Sequence, residues 1–171
     1  MKVAVLVEDH YQVLEAWYPY LRLREEGIET IFVGPGRKKE YASKEGYPAP
    51  EEILVTKAKA DDFDGVIVPG GYAPDMLRRS KEIIGFVKNM YKQKKLVAAI
   101  CHAGWVLVSA DILRGKKATC FFAIKDDVVN AGAEFLDKEV VVDGNLITSR
   151  NPYDLPYFCT EIIRFLKGTK R

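Results

Sequence analysis

The 171-residue sequence is poor in the residues that staple a small domain or cage a metal, with three cysteines and two histidines. An odd set of cysteines, at 101, 120 and 159 and without a C-x-x-C spacing, makes neither a disulfide framework nor a structural zinc site. At least one thiol is expected to be free, and no metal or organic cofactor is indicated. Charge of one sign is lacking too: 26 basic against 24 acidic residues leave a net +2. Basic clusters such as Arg37-Lys38-Lys39 are interspersed with acids, so a nucleic acid partner gets no support. No stretch approaches the roughly 18 apolar residues of a membrane span. Met1–Val7 runs into Glu8-Asp9 too soon for a signal peptide, and the expectation is a cytoplasmic protein without a membrane partner.

What is present suits one folded domain over residues 1–171, since the composition is 48% hydrophobic. Strand and helix patterns alternate. Lys2–Val7 reads as a buried strand, and Tyr11–Glu26 as a helix with Val13, Leu14, Trp17, Tyr20 and Leu21 on its apolar stripe, ending at Gly27. Glu29–Val33 is a second strand, followed by a polar loop with short extended pieces to about Pro50. Gly65–Val68 is a buried strand running into Pro69-Gly70-Gly71, and Pro74–Tyr91 reads as one helix. Lys95–Ile100 is the next strand, with a helix expected over His102–Leu113. Then come a short strand at Lys117–Cys120, a helix around Ile124–Ala131, a hairpin turning at Asp143-Gly144 and a closing helix over Tyr153–Lys167. Such alternation predicts an α/β fold, a mostly parallel sheet with helices on both faces and its site at the carboxyl ends of the strands.

Three loops reach that edge, after Val7, Val68 and Ile100. The segment Ala99-Ile100-Cys101-His102-Ala103-Gly104 places a thiol where a buried strand turns into a helix, in outline a nucleophile elbow whose helix N-terminus favours thiolate over thiol. A buried core cysteine is the ordinary alternative, and the elbow context with the adjacent His102 argues against it. His102 would be the general base, or a helix-start residue held by a hydrogen bond. His10, after the first strand, is a candidate for the substrate rim or a solvated loop residue. Pro69-Gly70-Gly71 can offer backbone amides to an oxyanion or merely turn the chain. Glu15 and Asp75 lie near the same edge. Cys120 and Cys159 read as packing residues, and Arg150 as a loop-stabilising one.

Taken together these residues resemble the PfpI or intracellular protease I family, related to the parkinsonism-associated deglycase and to class I glutamine amidotransferase-like domains. Glu15-Ala16-Trp17-Tyr18-Pro19, Val68-Pro69-Gly70-Gly71, Ala99-Ile100-Cys101-His102, Asn130-Ala131-Gly132 and Val141-Val142-Asp143-Gly144-Asn145 carry the likeness over nearly the whole chain. The resemblance implies a three-layer flavodoxin-like sandwich. It makes Cys101 the nucleophile, His102 its base or orienting partner, and Glu15 a hydrogen-bond partner of the sulfur, donating when protonated and opposing ionisation when charged. It further implies a homo-oligomer, dimer or hexamer, in which Asp75 can approach the histidine from a neighbouring subunit or act within its own chain, with amides of Gly70, Gly71 and His102 as oxyanion donors. Cys101-His102-Ala103-Gly104 departs from the family's usual Cys-His-Gly-Pro. Gln12 and Phe121, the latter at the substrate rim, stand where relatives tend to have an acid and a tyrosine. The implied activity is a cysteine-dependent hydrolase acting on a peptide, a glycation adduct on protein, or a small carbonyl compound. The alternatives are a stress-response or redox sensor whose cysteine is oxidised without turnover, and a structural or chaperone-like oligomer.

Overall fold

A computed structural model describes residues 1–168. In chain order the elements are β1 (Lys2–Leu6), α1 (Val13–Glu25), β2 (Glu29–Gly34), β3 (Glu40–Ala42), β4 (Pro48–Pro50), β5 (Ile53–Leu54), β6 (Gly65–Val68), α2 (Ala73–Leu77), α3 (Lys81–Lys92), β7 (Leu96–Ile100), α4 (Gly104–Ser109), β8 (Lys117–Ala118), α5 (Lys125–Asn130), β9 (Glu134–Phe135), β10 (Val140–Asp143), β11 (Leu146–Ser149) and α6 (Leu155–Lys167). A seven-stranded sheet runs in the order β10-β11-β7-β6-β1-β2-β5. All its pairings are parallel except the edge hairpin of β10 with β11. Helices α1 and α6 pack together, α6 touching β7 and β11, while α3 packs on β6 and β7 beside α2, α4 and α5. This is the expected sandwich: β6 and β7 are buried along their whole length, as strands covered on both faces must be. Among the described residues no helix is long and apolar enough to cross a membrane.

The connection order reverses beside β1, because β2 lies on one side of it and β6 on the other. The loops after β1, β6 and β7 therefore open into one crevice at the carboxyl edge, where ligands of such sheets bind.

Four expectations are corrected. Helix α1 turns inward the face carrying Glu15, Ala16, Pro19, Tyr20 and Leu23, leaving Leu14 and Leu21 exposed. Pro74–Tyr91 is two helices, because the Ser80 hydroxyl accepts the Ile83 amide at 3.3 Å and starts α3 afresh as an N-cap. The helix expected over His102–Leu113 is a 3₁₀ turn, Cys101–Ala103, followed by the six-residue α4, and the chain then turns through Asp111 with φ 54°. The strand at Lys117–Cys120 shrinks to β8, which pairs with β9 outside the main sheet, and the Thr119 amide goes instead to Thr148 Oγ1 at 2.9 Å.

Candidate active site

Cys101 is the hinge of the site. It follows β7 directly and has φ 61°, a left-handed conformation that costs a non-glycine residue energy and persists only where its surroundings enforce it. The bend leaves the side chain 8% exposed at the floor of a cavity of about 340 Å³. Backbone amides of Gly71 and His102 hydrogen-bond to its sulfur and favour the thiolate, whereas burial and the Glu15 carboxylate push the thiol up to about 12.

Glu15 reaches this place because α1 presents it inward. It is fully buried, and Oε2 accepts the Gly70 amide at 2.7 Å while Oε1 has no hydrogen-bond partner. Burial drives its carboxyl up to about 7 against the pull of the Gly70 amide. Two buried acids, the Glu15 carboxyl and the Cys101 thiol, thus act on each other, the carboxylate raising the thiol and Cys101 lowering the carboxyl, and they titrate as a pair. With one proton between them, protonated Glu15 beside thiolate is the reactive arrangement. The unpartnered Oε1 is the oxygen free to carry that proton.

The glycine loop is sterically compelled. A Cβ on Gly70 would sit 2.5 Å from Glu15 Oε2 and 2.6 Å from Cys101 Cβ. At Gly71, φ is +77° and a Cβ would lie 2.5 Å from the His10 carbonyl oxygen. The Gly70 amide is committed to Glu15, so it is not open to a substrate oxygen as expected from the sequence; Gly71 and His102 supply the amides that converge on the sulfur.

His102 Nδ1 lies 3.3 Å from Cys101 Sγ. Its ring stacks on Phe121 with centroids 4.9 Å apart and meets the edge of Trp105 at 5.2 Å. Burial, with the charge of Lys44, lowers its pKa below the usual value, so the ring is neutral at neutral pH and able to accept a proton. Asp75 is not among the cavity-lining residues; its carboxylate pairs with Arg79, four residues on and just past the end of α2. The His10 ring also stands apart from the lining, and that residue contributes instead a carbonyl that accepts the Tyr72 amide at 2.8 Å. Phe121 does form a wall.

Sequence reasoning missed Lys44, Tyr72, Trp105 and Pro152, which complete the rim. Gln12, noted only as a departure, caps α1 by accepting the Glu15 amide at 2.8 Å and so helps orient that carboxyl. Cys120 and Cys159 lie in the core, where burial pushes each thiol up to about 12. Arg150 binds the buried Asp154 through Nε and Nη2 and Asp137 through Nη1, a structural use. Among the described residues no group of three or more histidine, cysteine or acidic side chains is placed to hold a metal ion.

The DJ-1/PfpI family model matches residues 1–165. Deglycase PH1704 of Pyrococcus horikoshii is 39% identical over 167 residues, 98% of this chain and 100% of that protein. Protein/nucleic acid deglycase 2 of Escherichia coli is 41% identical over 172 residues, 96% of this chain and 97% of that one. Among solved structures, a protein of Anabaena variabilis with DJ-1/ThiJ/PfpI-like and ferritin-like domains superposes with a TM-score of 0.95 at 44% identity. The match covers 97% of this chain and 48% of that two-domain chain.

Proposed function

The chain belongs to the DJ-1/PfpI family, and on that footing we propose that it is a Cys101-dependent hydrolase of the deglycase or glyoxalase type. One observation carries this reading: a cysteine bent to φ 61° with two backbone amides on its sulfur and a buried, proton-holding carboxyl beside it. A packing cysteine needs none of these. The names of the Pyrococcus and Escherichia relatives favour a deglycase, and the Escherichia name extends that class to nucleic acid. The cavity of about 340 Å³ suits a small carbonyl or the modified tip of a larger molecule better than an extended peptide.

With a 2-oxoaldehyde, the thiolate adds to the aldehyde carbon, and the carbonyl electron pair moves to oxygen, which takes the Glu15 proton. His102 then removes the hydrogen on that carbon; the electron pair passes through an enediol to the neighbouring carbon, which is reprotonated, leaving a thioester. Water attacks the thioester, the carbon–sulfur bond breaks, and a 2-hydroxy acid leaves with the thiolate restored. One carbon is oxidised as its neighbour is reduced, so no outside oxidant is needed. On a glycation adduct, sulfur displaces the amine from the same carbon and frees it. We assign the acid completing a Cys-His-acid set to Asp75 of a second copy, because within its own chain that residue does not line the cavity.

The test is lactate formation from methylglyoxal by the wild-type protein and by Cys101→Ser. The expectation is turnover by the first and none by the second. Equal rates would remove Cys101 from the chemistry, and no turnover at high protein concentration together with peroxide oxidation confined to Cys101 would replace the enzyme reading with the sensor reading.

A further inference from the structure

The cavity sets one cation against a buried acid pair. Lys44 is the cation on its wall; the other ionisable groups there are Glu15, held toward its neutral form, the neutral His102, and the Cys101 and Tyr72 side chains. Lys44 is also rigidly placed. Its amide donates to the Tyr11 carbonyl at 2.9 Å, and Tyr11 bridges Ser43 on one side and Gly71 on the other. The Ser43 hydroxyl fixes the turn by accepting the Glu45 and Tyr47 amides at 3.2 and 2.9 Å. The backbone that carries Lys44 is therefore tied through one residue to the glycine whose amide points at the sulfur. The ammonium itself is under-used: Glu45 Oε1 lies 3.7 Å away, and the Lys44 side chain is 52% exposed. Glu45 turns its other oxygen to the Val13 amide at 3.3 Å.

Resting on the proposed Cys101 chemistry and narrowing its substrate class, we propose that the site selects carbonyl compounds bearing a carboxylate, which Lys44 receives while the carbonyl meets Cys101. A neutral dicarbonyl leaves the ammonium with only the Glu45 carboxylate, 3.7 Å away. Tyr72, Trp105, Phe121 and Pro152 supply apolar walls for the short carbon chain between the two ends. A 2-oxoaldehyde with a terminal carboxylate, such as 4,5-dioxopentanoate, fits both requirements. Addition of sulfur to its aldehyde, internal hydrogen transfer and uptake of one water yield 2-hydroxyglutarate, with the C–S bond formed in the first step and broken in the last.

Two measurements separate this inference from the reading beneath it. The first is alkylation of Cys101 by iodoacetate relative to iodoacetamide, in which sulfur displaces iodide and no turnover is required. The ratio is expected to fall about fivefold in Lys44→Met, the upper end of what a half-exposed ion pair contributes, to survive in Lys44→Arg, and to shrink with added salt. An unchanged ratio in Lys44→Met overturns the proposal whatever the enzyme does to dicarbonyls. The second is kcat/KM for 4,5-dioxopentanoate over methylglyoxal, expected to exceed one in the wild type and to fall about fivefold in Lys44→Met, mainly through KM. Turnover of methylglyoxal with no preference for the acid overturns the selectivity and leaves the Cys101 enzyme standing. Failure of both dicarbonyls while the alkylation ratio still depends on Lys44 removes the enzyme reading and leaves an anion-selective thiol site.

Discussion

Replacing Glu15 by glutamine puts the paired titration to its hardest test. In the wild type, loss of the first proton near pH 7 creates a state in which Glu15 and Cys101 share the remaining one, and the second proton is held to about 12. Alkylation of Cys101 by iodoacetamide should therefore rise through about pH 7, level off, and still be climbing at pH 10. The glutamine side chain is nearly isosteric; its oxygen can keep the Gly70 amide now bound at 2.7 Å, and its –NH₂ then points toward the sulfur as a permanent donor. Removing the carboxylate charge takes away one of the two largest causes of the raised thiol, leaving burial. The variant should lose the inflection near 7 and show a single ionisation about 1–3 pH units below the wild-type upper limb, the range that a nearby charge commands. Mass-resolved alkylation of the intact chain from pH 5 to 10 reads both curves. Persistence of the step near 7 in Glu15→Gln would refute the pairing, and so would a wild-type thiol titrating at the ordinary value of about 8.5.

Three further outcomes follow from the same packing. Glu15 ionises at about 7 in the fold against 4.5 when unperturbed, so its contribution to stability is complete below about 4.5 and is lost as pH rises through about 7, a change of about 3 kcal/mol; thermal melts should show Glu15→Gln gaining on the wild type at pH 8 and not at pH 4. Gly70→Ala forces a methyl to within 2.6 Å of Glu15 Oε2 and Cys101 Cβ, and is expected to cost about 1–3 kcal/mol in denaturant melts and to abolish Cys101-dependent turnover; full activity would show that the loop is not held as described. Arg150→Ala strands Asp154, which is 4% exposed, and should lower stability by about 3 kcal/mol with partial recovery in Asp154→Asn/Arg150→Ala; an unchanged melting temperature would deny the network its structural role.

The legible parts of this molecule are those whose signal is local. Gly65–Val68 was readable to the residue because an uninterrupted apolar run between turn residues has few other fates, and the Asp143-Gly144 hairpin because φ is positive at its glycine. Cys101 and His102 were legible from the strand-to-turn junction, but the physics there is not the one the junction suggested. A three-residue 3₁₀ turn followed by a six-residue helix has little macrodipole to lend, and the sulfur's anion is favoured by two individual amides against burial and the Glu15 carboxylate, which raise the thiol. Glu15 illustrates why periodicity fell short: the apolar stripe read through Leu14 and Leu21, and the helix is rotated so that a carboxyl takes an inner position. Its inward turn is set by Gly70, 55 residues away, whose amide donates to that carboxylate and whose missing side chain makes the space. Lys44 was harder still. It sits in a polar loop with no motif, and enters the cavity only because Tyr11 bridges its neighbour to the glycine turn. What faces the thiol in such a cavity is thus written in tertiary contacts between a loop and an elbow, while the elbow alone places only the thiol.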